Sequence, residues 1–272
     1  MGLNSLTSIE TIQKVFPTGD LPVLIKGSDR KFHVVKHNHG QSICYKLFAE
    51  YLVHQLFHNL GLPVMPASFF EIQSQHVVPT GDCQPAFFRQ QTCFSTLYVE
   101  SVYESNHLSA TRAFVKPIAN KRDLLTIGWM DLWLANEDRN YNNNNLLLNS
   151  TDSGIEITPI DHAACFNSLS FSEGRRLYLL GENESIIHTP LFQLSLKGSV
   201  KSMREVSETV KRLYLRIPNL ESDYHEIVTN LPESWQIPLD YIAALHANLF
   251  EKAWLDETKH HFLTFVKSSL KL

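Results

Sequence analysis

The chain has 272 residues, 43% hydrophobic and 19% charged. That composition excludes intrinsic disorder, and a chain of this length buries roughly 75% of its unfolded surface without needing disulfide staples. The 24 basic and 28 acidic residues leave a net charge of −4, and the basic residues come at most as doublets such as Lys121-Arg122, Arg175-Arg176 and Lys211-Arg212. This argues against a nucleic-acid partner held by phosphate neutralisation.

Cys44, Cys83, Cys93 and Cys165 are scattered and form no C-x-x-C pair, a pattern that fits neither a zinc ribbon nor a disulfide framework and suits a reducing compartment. The N-terminal residues lack a basic segment followed by a long apolar one, and no run of 18 apolar residues occurs. The expectation is a cytoplasmic protein without a membrane span.

In chain order, Leu21 to Ile25 and Phe32 to Lys36 read as strands of a hairpin turning at Gly27-Ser28-Asp29. Gln41 to Leu60 follows helical periodicity and is closed by Gly61 with Pro63 beyond it. Ala67 to Ile72, Pro85 to Gln90 and Leu97 to Tyr103 read as further strands. Asp123 to Ala135 is apolar almost all round, the pattern of a buried helix, with Trp129 and Trp133 as core residues. A polar loop, Asn136 to Asn145, precedes a second hairpin made of Leu146 to Leu148 and Ile155 to Ile160. Helices follow around 200–215 and 239–268, the latter as one helix or two. Strands first and helices afterwards predict an α+β chain in two lobes, residues 1–95 and 96–272.

The polar loop carries the chemistry. Asp138 stands in it, Asn143 follows five residues later, and the second strand of the hairpin ends at Asp161. In an antiparallel hairpin the start of the first strand lies beside the end of the second, which brings Asn143, Asp161 and Asp138 together. Two carboxylates and an amide oxygen suit Mg²⁺, which takes few protein ligands and completes its shell with water and phosphate. Phosphoryl transfer uses this set: one Asp orients the attacking hydroxyl while the Asn and a second Asp hold the metal. Asn142 or Asn144 could replace Asn143 in this role, but the spacing favours Asn143. The competing reading is an ordinary turn in which Asp138 caps the loop or pairs with Arg139.

Such chemistry also needs a strand lysine on the nucleotide phosphates and a helix glutamate to place it. Lys36 ends the second strand, and Glu50 lies within the apolar arc of the following helix. A buried acid requires a partner, and Lys36 is the obvious one, although Lys46 shares the arc. Neither G-x-G-x-x-G nor a P-loop occurs, so the turn at Gly27 and Ser28 is the candidate phosphate-covering element. His54 and His58 stand at i, i+4, but Gln55 occupies the place of a zincin glutamate. His33, His37 and His39 read as solvent or pocket histidines.

Together, VVK at 34–36, AEYLVHQLFHNLGLPVMP at 49–66, WLANEDRNYNNN at 133–144 and IDHAACF at 160–166 resemble the HipA-like kinases, a bacterial branch of the protein-kinase-like fold distantly similar to phosphatidylinositol 3- and 4-kinases. The resemblance implies a bilobal protein-kinase-like fold, with a strand-rich N-lobe holding one main helix and a mainly helical C-lobe. It implies ATP- and Mg²⁺-dependent phosphorylation of protein Ser or Thr, with autophosphorylation sites among Ser168, Ser170, Ser172, Ser185 and Thr189. Lys36 would bind the phosphates, Glu50 would position it, Asp138 would act as base, and Asn143 and Asp161 would hold Mg²⁺. An adenine site at the hinge would use Val99, Glu100 and Ser101, and kinship suggests an antitoxin-like or regulatory protein partner. Asn140 stands where lipid kinases carry His, and His162-Ala163 where most kinases carry Phe-Gly. A nucleotide- or partner-binding pseudokinase and a lipid or small-molecule kinase are the alternatives.

Overall fold

The computed structural model describes residues 2–88, 91–100, 103–104, 110–174 and 176–272. Two compact units interleave along the chain: 1–52, 65–100 and 226–238 form one, and 53–64, 101–225 and 239–272 the other. This differs from the single cut between residues 95 and 96 that the sequence suggests.

The first unit holds β1 (Ser5–Thr7), β2 (Lys14–Val15), β3 (Val23–Lys26), β4 (Phe32–Lys36), the first half of α1 (Tyr45–Asn59), β5 (Ala67–Glu71) and β6 (Cys93–Leu97). The sheet order is β1-β5-β6-β4-β3-β2, with β1 parallel to β5 and every other pair antiparallel. Successive side chains of a strand point to opposite faces, and both faces are covered here. Phe70 joins Val23, Ile25, Val35, Ile72 and Cys93 on one face. Phe69 packs on Tyr51 of α1 and on Trp235, with ring centroids 5.2 and 5.7 Å away. Trp235 has no exposed surface; its Nε1 donates to Thr92 O at 2.6 Å and its carbonyl accepts from Cys44 N at 3.0 Å.

Several expected strands shift. Pro85–Phe87 is a 3₁₀ turn rather than a strand, because proline has no N–H for a ladder while its fixed φ suits the start of a helical turn. Residues 89 and 90, the end of that expected strand, lie outside the described residues. The strand expected at Leu97 to Tyr103 instead runs over Cys93–Leu97. Its first three residues are all buried, so polar alternation does not mark its start.

The second unit contains β7 (Tyr103–Glu104), α2 (Arg112–Val115), α3 (Asp123–Trp133), β8 (Leu146–Thr151), β9 (Gly154–Pro159), α4 (Leu169–Ser172), α5 (Pro190–Leu196), α6 (Met203–Tyr214), most of α7 (Ile217–Thr229), α8 (Leu239–Leu249) and α9 (Lys252–Leu270). As its composition predicts, α3 is buried from Leu124 to Trp133, apart from a half-buried Thr126, and it packs on α6 and α9. Trp129 and Trp133 are core residues whose rings stack at 5.4 Å. Trp133 Nε1 donates to Leu249 O at 2.8 Å, and Trp254 Nε1 donates to Trp133 O at 3.0 Å. The region 239–268 is two helices, separated at Phe250-Glu251. Helices α5 and α7 lie outside the helical regions that the sequence predicts. The β8–β9 hairpin turns at Gly154, whose φ of +128° and approach to Pro117 O leave no room for a Cβ.

His33 and His37 are buried core groups rather than solvent histidines. His37 Nε2 donates to Leu21 O at 3.2 Å and Nδ1 accepts from His39 N at 3.3 Å, which fixes the neutral tautomer. Burial, and then the neighbouring His39, lower its pKa to about 4, against Leu21 O and Asp20. A depressed histidine stabilises the fold above its ordinary value, and that contribution is lost as pH falls from 6.5 toward 4. The loss amounts to at most about 3 kcal/mol. His37→Phe should flatten the pH dependence of the unfolding free energy across this window. Equal slopes in denaturant titrations of the two proteins would contradict the assignment.

Candidate active site

In the first unit, β4 alternates inward Val35 with Lys36, whose Nζ forms an ion pair with Glu50 Oε1 on α1. Glu50 is only 3% exposed, so the lysine supplies the partner that a buried carboxylate requires. Lys46 turns outward and pairs with Asp20 instead of Glu50. At the β3–β4 turn, Gly27 N donates to Lys31 O at 2.9 Å, while Ser28 Oγ accepts from Thr7 N at 3.3 Å. A Cβ on Gly27 would stand 3.0 Å from Asp29 Oδ1 and 3.1 Å from the Phe70 ring, so a side chain there would push those neighbours back by a few tenths of an ångström. Val99 is half-buried and Glu100 exposed. Ser101 lies outside the described residues.

The second unit carries the acidic loop. The chain leaves α3 through Ala135, at φ +49°, and Asn136, which is fully buried. Asn136 Oδ1 accepts from Asp138 N at 3.1 Å, and its Nδ2 donates to Asp131 Oδ1 at 3.2 Å. Asp138 is half-buried, and its Oδ2 accepts from two amides, Asn143 Nδ2 at 2.8 Å and Asn145 Nδ2 at 3.0 Å. With Nδ2 turned to Asp138, the Asn143 amide directs Oδ1, the atom a cation would take, away from it. Asn140 knits the turn: its Oδ1 accepts from Asn142 N at 3.0 Å and its Nδ2 donates to Glu137 O at 3.3 Å.

Leu146 pairs with Pro159, and Ile160 N donates to Asn145 O at 2.9 Å. Asp161 follows directly, at a left-handed φ of +57° that costs a non-glycine residue free energy. Among the described residues, no cluster of three or more His, Cys, Asp or Glu side chains could hold a metal. A site built from one amide oxygen and one carboxylate fits Mg²⁺ chemistry, since that ion keeps waters and phosphate oxygens in its shell.

Arg139 does not pair with Asp138. It has no exposed surface, and Nη1 bonds to Asp131 Oδ1 on α3, itself 1% exposed. Nη2 donates to Ile160 O at 2.8 Å and to His162 Nδ1 at 3.3 Å. Because arginine only donates, His162 must accept at Nδ1. The His162 ring stacks on Phe57 at 5.1 Å, and the guanidinium lies 5.9 Å from the Phe57 ring centre. Burial pushes the Asp131 carboxyl up to about 6, against the opposing pull of the Arg139 charge and of the Asn136 and Arg139 hydrogen bonds.

Asp131, Arg139, Asn136, Asn145 and His162 were not identified from the sequence. One signal was present: an acid inside a helix that is apolar all round requires a partner, as Glu50 does on α1.

The family model for HipA-like kinases matches residues 9–253. The chain belongs to the HipA-like kinase family, whose members are phosphotransferases. Among solved structures, the Helicobacter pylori proinflammatory kinase CtkA aligns with a TM-score of 0.54 at 14% identity, over 99% of this chain and 99% of its own. A chain of the Shewanella oneidensis MR-1 toxin–antitoxin complex of HipA, HipB and operator DNA aligns with a TM-score of 0.50 at 14% identity, over 96% of this chain and 68% of its own. At these identities the likeness is one of fold: bilobal and protein-kinase-like, with a strand-rich N-lobe and a mainly helical C-lobe. No curated protein sequence matches the chain.

Removing one partner of a buried ion pair strands the other charge. Asp131→Ala should lower the unfolding free energy by about 3–5 kcal/mol, with partial recovery on adding Arg139→Met. Denaturant titration of the single and double variants checks this. A loss below about 1 kcal/mol would mean that water reaches Arg139.

Proposed function

We propose that the chain transfers the γ-phosphoryl group of ATP, in the presence of Mg²⁺, to a Ser or Thr hydroxyl of a protein. The observation that carries this reading is the Asp138–Asn143 contact in the loop between α3 and the β8–β9 hairpin. Membership of the HipA-like kinase family supports it.

Asp138 acts as the base. Its Oδ2 accepts from two amide donors, which fix the plane of the carboxylate and leave Oδ1 to take the proton of the attacking hydroxyl. Lys36, steadied by Glu50, engages the nucleotide phosphates. Asn143 Oδ1 and the Asp161 carboxylate would hold Mg²⁺, which when bound neutralises phosphate charge. Gly27 and Ser28 cover the phosphates, and Val99, Glu100 and Ser101 border the adenine. Catalysis by this set is positioning and electrostatics rather than covalent chemistry by the protein.

The fold likeness to a chain of a toxin–antitoxin complex supports a protein partner of antitoxin-like or regulatory kind. The four cysteines are buried thiols outside any disulfide, which supports the reducing cytoplasm as location. No described helix is long and apolar enough to cross a membrane.

Incubation with labelled ATP, Mg²⁺ and Ser/Thr peptides should label peptide or the protein itself. Asp138→Ala and Asp161→Ala should each reduce transfer by about 10²-fold or more. Undiminished transfer by both variants rules out the residue roles. Wild type that is stabilised by nucleotide but transfers nothing is a binding module, and label appearing only in lipid or small-molecule acceptors reassigns the substrate class.

A further inference from the structure

Asn167 is 1% exposed, and its side chain imitates a backbone strand partner. Its Oδ1 accepts from Tyr178 N at 2.9 Å, and its Nδ2 donates to Tyr178 O at 3.2 Å. The two residues thereby close the base of the excursion that runs between them and contains α4. The same Nδ2 lies 3.4 Å from Glu137 Oε1, and the Tyr178 hydroxyl donates to that same oxygen. Glu137 immediately precedes Asp138. Its backbone N donates to Ala164 O at 3.3 Å, and Asn167 N donates to Ala135 O at 3.0 Å, so the segment after Asp161 is laid against the start of the acidic loop. The backbone at Phe166, Asn167 and Ser168 is left-handed, a conformation these residues hold only when their surroundings over-determine it.

We propose that Asn167 and Tyr178 are positioning residues for phosphoryl transfer. Their clasp on Glu137 holds the backbone that carries Asp138. This rests on the reading of Asp138 as the base. The clasp does two things. It restrains the residue next to Asp138 at the side chain as well as the backbone, so Asp138 inherits a fixed origin. It also engages a carboxylate that would otherwise stand beside the base and oppose a polyanionic nucleotide. The hydroxyl bond to Glu137, followed by burial, raises the Tyr178 pKa, as expected for a phenol that donates to an anion.

Tyr178→Phe removes only the hydroxyl, at a side chain 45% exposed, and should leave thermal stability nearly unchanged. It should lower kcat about tenfold while KM for ATP moves less than about twofold. Glu137→Ala should cost a similar factor, the double variant no more than either single one, and Glu137→Gln, which keeps the acceptor oxygen, should retain most of the rate. Unchanged kcat in Tyr178→Phe, or losses that multiply in the double variant, overturn the proposal. Wild type without any transfer rejects the kinase reading instead. The clasp is then read from amide hydrogen exchange over residues 136–143, which should quicken in Tyr178→Phe, and equal exchange overturns it.

Discussion

A guanidinium with no exposed surface must be neutralised where it lies, and Arg139 meets that demand through Asp131 on α3. Because Arg139 directly follows Asp138, this buried pair determines where the acidic loop leaves the helix. The second guanidinium nitrogen spans Ile160 O and His162, the residues on either side of Asp161. One side chain thus ties the helix, the loop holding Asp138 and the strand end preceding Asp161. Buried ion pairs contribute little net stability, because desolvation offsets the Coulomb gain. Here the pair acts as a register device that fixes three backbone segments against one another.

Strain is concentrated around the same residues. Ala135, Asn145, Asp161, Phe166, Asn167 and Ser168 all have left-handed φ without being glycine. Each such residue costs on the order of 1–3 kcal/mol unless its surroundings hold it. Several supply their own restraint: Phe166 N bonds Leu134 O, Asn167 N bonds Ala135 O, and Ile160 N bonds Asn145 O. Asparagine tolerates the left-handed region better than most residues, and an Asn-rich loop supplies both that backbone and the amides that bind Asp138. Conformation and chemistry here draw on the same side chains. A preformed acidic loop is what electrostatic catalysis requires, since dipoles already in place cost no reorganisation at the moment of transfer.

The first unit solves a simpler problem. Its sheet is covered on both faces, by α1 and Trp235 on one and by the Val23, Ile25 and Phe70 cluster on the other. A lysine ending a central strand is then held by the one buried acid of α1. That pair follows from burial alone, with no special loop or backbone strain.

Features that depend on near neighbours in the chain were legible in the sequence. The β3–β4 hairpin, helix α1 with its Gly61 stop, the buried α3, the β8–β9 hairpin and the Lys36–Glu50 pair all rest on periodicity, turn chemistry or the cost of an unpaired buried charge. The family followed from residues clustered on those elements. Features that depend on distant partners were not legible. Trp235 plugs a sheet some 140 residues earlier, as its bond to Thr92 O records. Arg139 turns from its neighbour Asp138 to Asp131, one helix turn and a loop away, and Asn145 joins Asn143 on Asp138. In each case the local pattern permits several partners. The choice among them is made by which buried polar groups the packed fold leaves in need of one, and that demand exists only once the tertiary structure has excluded water.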